Sequence, residues 1–195
     1  GLIVEALKQA DLLLGLGFDP VEIDKRWHAE LPILWLLESP MATGILPAGE
    51  IQLCDHAALL DELANENPPR TWQDPFSAIR ERRRLVAEDG ELDLREVDGC
   101  IPPTEIVRSL ARVMPPNTIV TTDVGSHKYL FGQFWPSREP DTFFMSNGLS
   151  GMGYGLPAAI GAKLARPSSP VLAAMGDGGF SMNSQELETA RRIGA

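Results

Sequence analysis

The chain has 195 residues, an apolar fraction of 44% and a formal net charge of −10. That is enough chain for one large domain or two small ones, with the composition of an ordinary globular protein. The acidic balance argues against a nucleic-acid surface, which needs clustered Lys and Arg, and no apolar run is long enough to span a membrane.

No basic stretch followed by an apolar one opens the chain, so secretion has no support and a cytoplasmic location is expected. In chain order, Ile3, Leu7 and Ala10 share one face of a helix leading into the apolar run Leu12 to Gly17. Pro32 to Leu37 and Ile51 to Cys54 read as two further buried strands. A helix follows over His56 to Ala64, with Asp55 as its N-cap. Alternation at these lengths implies parallel strands with crossover helices. Pro and polar residues then crowd between Asn65 and Pro75, as in an inter-domain linker. A charged helix over Phe76 to Ala87 continues the connection. Its basic run (Arg80, Arg82, Arg83, Arg84) is interleaved with Glu81 and Glu88, which suits a solvated helix face.

A second α/β unit starts near Ile101. Pro102 and Pro103 precede a helix carrying Ile106, Leu110 and Val113 at helical spacing. Thr118 to Thr122 is a strand that runs into Asp123-Val124-Gly125-Ser126-His127, with a helix from there to Phe134. A strand over Thr142 to Met145, a glycine-rich turn from Asn147 to Gly155 and a helix after Pro157 follow. The last strand, Val171 to Met175, leads through Gly176-Asp177-Gly178-Gly179 to a helix. Asn183 and Glu186 have capping-box spacing, which predicts that helix to begin near Asn183 or Ser184. The fold class expected is α/β, in two Rossmann-like three-layer α/β/α units with mainly parallel sheets. The expected boundaries are 1–66 for the first unit, 67–100 for the linker and 101–195 for the second unit.

Cys54 and Cys100 belong to no CxxC or Cys/His cluster and read as free thiols. The residues that carry chemistry lie after the strands of the second unit, where ligands bind in open α/β sheets. Glycines let backbone N–H groups approach an anion closely, and Asp177 is a hard oxygen ligand beside them. Mg2+ binds through one or two carboxylates plus substrate phosphates, so the pattern points to a diphosphate held through a divalent metal. A Gly-Asp-Gly alone also suits a plain turn; two other glycine-bearing loops upstream make the ligand reading specific. The Rossmann-like first unit shows no GxGxxG opening a helix, which argues against nicotinamide binding.

Taken together, TTDVGSH, SNGLSGMGYGLPAAIGA and GDGGF resemble the cofactor domain of thiamine diphosphate enzymes, and acetolactate synthases most closely. ADLLLGLGFDPVE and PILWL are similar to the central domain of the catabolic, flavin-independent members. The resemblance implies thiamine diphosphate and Mg2+ as cofactors. Gly125, Ser126 and His127 would line the diphosphate, and Ser126 stands where many biosynthetic members carry Gln. Met152 would support the bent cofactor, its carbonyl accepting from the 4′-amino group. Ser150 and Gly151 flank it, with Ser150 where Gly is frequent. Asp177 would bind the metal, Gly178 and Gly179 would supply phosphate-facing amides, and Gly176 would belong to the same cofactor-binding loop.

The implied activity is decarboxylation of pyruvate and condensation with a second 2-oxo acid to give 2-acetolactate, in a homodimer or tetramer. A related decarboxylase or carboligase acting on benzoylformate or oxalyl-CoA is the alternative within the class, and a non-catalytic α/β assembly module the alternative outside it. The chain opens almost inside a helix and stops just after one, so it reads as the middle of a longer protein. The family's activating glutamate belongs to a pyrimidine domain outside this sequence. No catalytic residue is therefore assigned, and the isolated chain is expected to be inactive.

Overall fold

The computed structural model describes residues 6–18, 31–40, 46, 48–66, 77, 80, 81, 84 and 100–195. The chain divides into two compact units, Gly1–Glu91 and Leu92–Ala195. The expected face of Ile3 lies outside the described residues, as does most of the expected linker and its charged helix. Within that stretch Ser77, Arg80, Glu81 and Arg84 are helical, and Arg84 donates to both carboxylate oxygens of Glu81 at 2.9 and 2.6 Å.

In the first unit, β1 (Leu13–Leu16), β2 (Ile33–Leu37) and β3 (Glu50–Leu53) form a parallel sheet in that order. The central strand is the buried one, with Ile33, Trp35 and Leu37 as its core, whereas β3, expected from the sequence as a buried strand, is exposed at all four residues. Gly15 leaves room for the Trp35 ring, which a Cβ would meet at 2.1 Å. Phe18 packs on the same indole at a centroid distance of 5.4 Å. Helix α1 (His56–Asn65) starts where the sequence predicts: Asp55 accepts from the Ala58 amide at 2.9 Å, satisfying one of the donors a helix N-terminus leaves open.

The second unit opens with α2 (Pro103–Val113), whose first residue is a proline already set at helical φ. Parallel strands follow in the spatial order β5 (Phe143–Met145), β4 (Ile119–Thr122), β6 (Val171–Ala174). They alternate with α3 (Ser126–Phe134), α4 (Gly155–Ala165), α5 (Asp177–Asn183) and α6 (Glu186–Ile193). The α/β class with parallel sheets is thus observed in both units. β4 is buried along its whole length, and Val107, Val120 and Phe131 centre the core. A central parallel strand is covered on both faces, which is why its sequence does not alternate.

Two helix starts differ from the sequence expectation. α4 begins at Gly155 rather than after Pro157, because proline is tolerated in a first turn where its missing N–H has no intrahelical partner. The predicted capping box does not form. α5 begins at Asp177, and Ser184 and Gln185 stay helical (φ −58° and −61°), which leaves no extended residue to act as a cap. The Asn183 amide donates instead to the Gly153 carbonyl.

Candidate functional site

Parallel pairing brings the carboxyl ends of β4, β5 and β6 to one edge of the second sheet, and the loops leaving them meet there. β4 ends in Asp123, whose side chain is 1% exposed. Its carboxylate accepts from the Val124 amide (2.6 Å), from Gly153 (2.9 and 3.1 Å) and from Gly155 (3.1 Å). Thr121 donates to the Gly155 carbonyl at 2.8 Å. The first and second loops are therefore joined through buried polar contacts.

Gly125 follows at φ 145°, a conformation that side chains rarely adopt, and then α3 begins at the exposed Ser126. The His127 ring folds back over this glycine, where a Cβ would meet Cε1 at 2.7 Å. The same ring reaches Gly176 in the third loop, at 3.7 Å from the position of its Cβ. His127 Nε2 is buried and has no hydrogen-bond partner among the described residues. A buried polar group without a partner costs about 1–3 kcal/mol, and a ligand group supplying that partner recovers it.

Along the second loop, Ser150 takes a left-handed conformation at φ 47°, the conformation for which Gly is favoured at this position. Its hydroxyl donates to the Ser146 carbonyl at 3.3 Å, and the Lys128 ammonium donates to that carbonyl and to Ser150. A Cβ on Gly151 would enter open space. Met152 is half-exposed, and its Cε would stand 3.0 Å from a Cβ at Gly178, so the methionine lies across the third loop. In that loop Gly176 is extended and Asp177 is exposed, its carboxylate accepting only from the neighbouring Gly178 amide at 2.8 Å. Gly179 is buried against Asp123, with 2.8 Å from its would-be Cβ to the carboxylate carbon.

The structure thus brings Gly125, His127 and Gly176 together, and Met152 with Gly178. Ser126 and Ser150 stand apart from these contacts, the latter engaged by Ser146 and Lys128. Sequence reasoning missed Asp123, Asn183 and Lys128. Asp123 sits inside TTDVGSH, but its partners lie thirty residues on. Asn183 carried the signal that was read as a cap.

Among the described residues no group of three or more His, Cys, Asp or Glu could hold a metal ion. Asp177 is then a single carboxylate that needs oxygen ligands from elsewhere, as a Mg2+ bound largely through phosphates does. The glycine-lined loops, the unpartnered imidazole nitrogen and the exposed carboxylate fit a metal-bridged diphosphate. No described helix is long and apolar enough to cross a membrane.

Residues 123–195 match the family described as thiamine pyrophosphate enzyme, C-terminal TPP binding domain. Acetolactate synthase of Bacillus subtilis (strain 168) is 33% identical over 204 residues, covering 97% of this chain and 34% of that protein. The catabolic acetolactate synthase of Raoultella terrigena is 34% identical over 205 residues, covering 97% and 35%. A probable acetolactate synthase large subunit of Methanocaldococcus jannaschii is 33% identical over 183 residues, covering 91% and 28%. The chain spans about a third of the length of these curated relatives. Thiamine diphosphate is the cofactor of this family, and Mg2+ is its usual metal. The chain belongs to the thiamine diphosphate-dependent, acetolactate synthase-like family.

Proposed function

We propose that this chain carries the cofactor-binding part of an enzyme that decarboxylates pyruvate and condenses the product with a second 2-oxo acid, giving 2-acetolactate. The observation that carries the reading is the convergence of three strand-end loops around the unpartnered His127 Nε2 and the exposed Asp177. His127 Nε2 donates to a diphosphate oxygen, and the backbone amides of Gly125 and Ser126 face the same group. Asp177 would hold Mg2+, as the protein carboxylate beside a metal bound largely through phosphates. Gly176, Gly178 and Gly179 keep the third loop free of side chains on that side. Met152 supports the pyrimidine end through its carbonyl, and Ser150 and Gly151 shape the turn ahead of it.

Thiamine diphosphate, when bound, would supply the thiazolium ring that accepts the electron pair released as carbon dioxide leaves. The residues of this chain bind and orient; none is assigned to proton transfer. The 195-residue chain alone is accordingly proposed to bind cofactor without turning over pyruvate. In the whole enzyme it would work in the cytoplasm as a homodimer or tetramer.

Calorimetric titration of thiamine diphosphate with Mg2+, and again with EDTA, tests the reading. Binding that needs Mg2+ and is lost in Asp177→Ala is expected. A folded chain that binds nothing under either condition would overturn it and favour a non-catalytic assembly module.

A further inference from the structure

We propose that Asp123 is the positioning residue of this cofactor site: its buried carboxylate, more than the glycines around it, sets the second and third loops against the end of β4. The proposal rests on the cofactor reading above.

Gly155 is the first residue of α4 and Gly153 lies just before it in a left-handed conformation (φ 87°), so neither amide has an intrahelical acceptor. One carboxylate meets both, at 2.9–3.1 Å. Hydrogen bonds to an ionised acceptor are about twice as strong as neutral ones. The Gly153 carbonyl is held as well, accepting from Asn183 at the end of α5. Both peptide groups of Gly153 are therefore fixed, one through its N–H by the residue that follows β4 and the next through its C=O by α5.

α5 comes close because Gly179 has no side chain. A Cβ there would lie 2.8 Å from the Asp123 Cγ and Oδ2. A Cβ on Gly155 would lie 3.2 Å from the Asp123 Cβ and amide nitrogen. In each of the three loops a residue assigned to the cofactor lies within two positions of one of these anchored points. Met152 precedes Gly153, Asp177 lies two residues before Gly179, and Gly125 lies two residues after Asp123 itself. Asp123, Gly153 and Gly155 are all buried, so Asp123 acts through the residues it places.

The test is run on the 195-residue chain with two readouts: amide hydrogen exchange at Gly153 and Gly155, and Mg2+-dependent titration of thiamine diphosphate. Asp123→Asn keeps the shape but turns an –NH2 toward donors. It is expected to speed exchange at both glycines about tenfold or more relative to Val120, and to weaken binding by a similar factor. Gly179→Ala leaves the carboxylate in place and crowds it from α5. It is expected to shift both readouts in the same direction, and it decides the matter if Asp123→Asn does not fold. Asp177→Ala is expected to lose binding with exchange at Gly153 and Gly155 unchanged. Exchange at the two glycines that stays at the wild-type rate in Asp123→Asn or Gly179→Ala overturns the proposal. So does faster exchange with unaltered affinity, because Asp123 is then structural only. A wild-type chain that binds no cofactor overturns the cofactor reading first, and this role with it.

Discussion

Replacing Gly125 by Ala probes the loop on which the site turns. The backbone there, at φ 145° and ψ −179°, lies in a region essentially restricted to glycine, which costs about 1–3 kcal/mol for any other residue. The new methyl would also meet the His127 ring at 2.7 Å from Cε1 and 2.9 Å from Nδ1, well inside contact distance. Overpacking of this kind adds about 1 kcal/mol or more, so the total expected is about 2–4 kcal/mol. His127→Ala alone should cost no more than about 1 kcal/mol, because the Nε2 it removes has no partner to lose. In the double variant the overlap disappears and the strain remains. Its cost should fall short of the sum of the singles by about 1 kcal/mol.

Native-state hydrogen exchange at Val120 and Thr121, both fully buried in β4, reports opening of the second unit by itself. A Gly125→Ala cost below about 0.5 kcal/mol would refute the strain argument, since that is the range of an ordinary surface change. Strictly additive single and double costs would refute the placement of the imidazole over Gly125.

Thr121→Val removes the hydroxyl that meets the Gly155 carbonyl and should destabilise the second unit by about 1–3 kcal/mol, with Thr121→Ser nearer wild type; urea midpoints at constant m-value check it. Asp55→Ala removes the N-cap of α1 at a cost of about 0.5–2 kcal/mol, visible as faster exchange in its first turn, while Asp55→Asn preserves it. Hydrogen bonds from Arg112 and then Ser109 hold the Glu105 carboxyl below its ordinary 4.5. A lowered carboxyl pKa adds stability above the unfolded value and loses it as pH falls through the folded one. The protection of α2 amides should therefore decline below pH 4.5, weakly because the pair is exposed. Glu105→Gln should flatten that decline, and a decline of equal steepness in the variant would contradict the assignment.

Much of this arrangement is legible in the residues. Ile33–Leu37 and Ile119–Thr122 are strands in which local pattern and burial agree, whereas β1 leaves Leu14 and Leu16 exposed. Asp55 and Pro103 announce helix starts by chemistry confined to one turn. Failures came where a side chain is claimed from far along the sequence. Asn183 has the spacing of a cap, yet Ser184 and Gln185 after it stay in helical conformation and its side-chain amide donates to the distant Gly153 carbonyl. Asp123 looks like one polar residue in a turn until Gly153, Gly155 and Gly179 close around it. Glycine-rich stretches declare freedom of conformation; which contact uses that freedom is decided by tertiary packing.

The order β5-β4-β6 has a kinetic side. β4 is made first of the three and sits in the middle, so both of its hydrogen-bonding edges stay open until two more strands have been synthesised and returned past α3 and α4. Closing such long-range pairings is slow, and an open central strand is exposed to wrong partners meanwhile. Asp123, just past that strand, meets its donors at Gly153 and Gly155 only once β5 has been made, and Gly179 only once β6 has followed. The pocket edge is consequently among the final features to form during folding, and whatever binds there selects chains whose central strand has already found both neighbours.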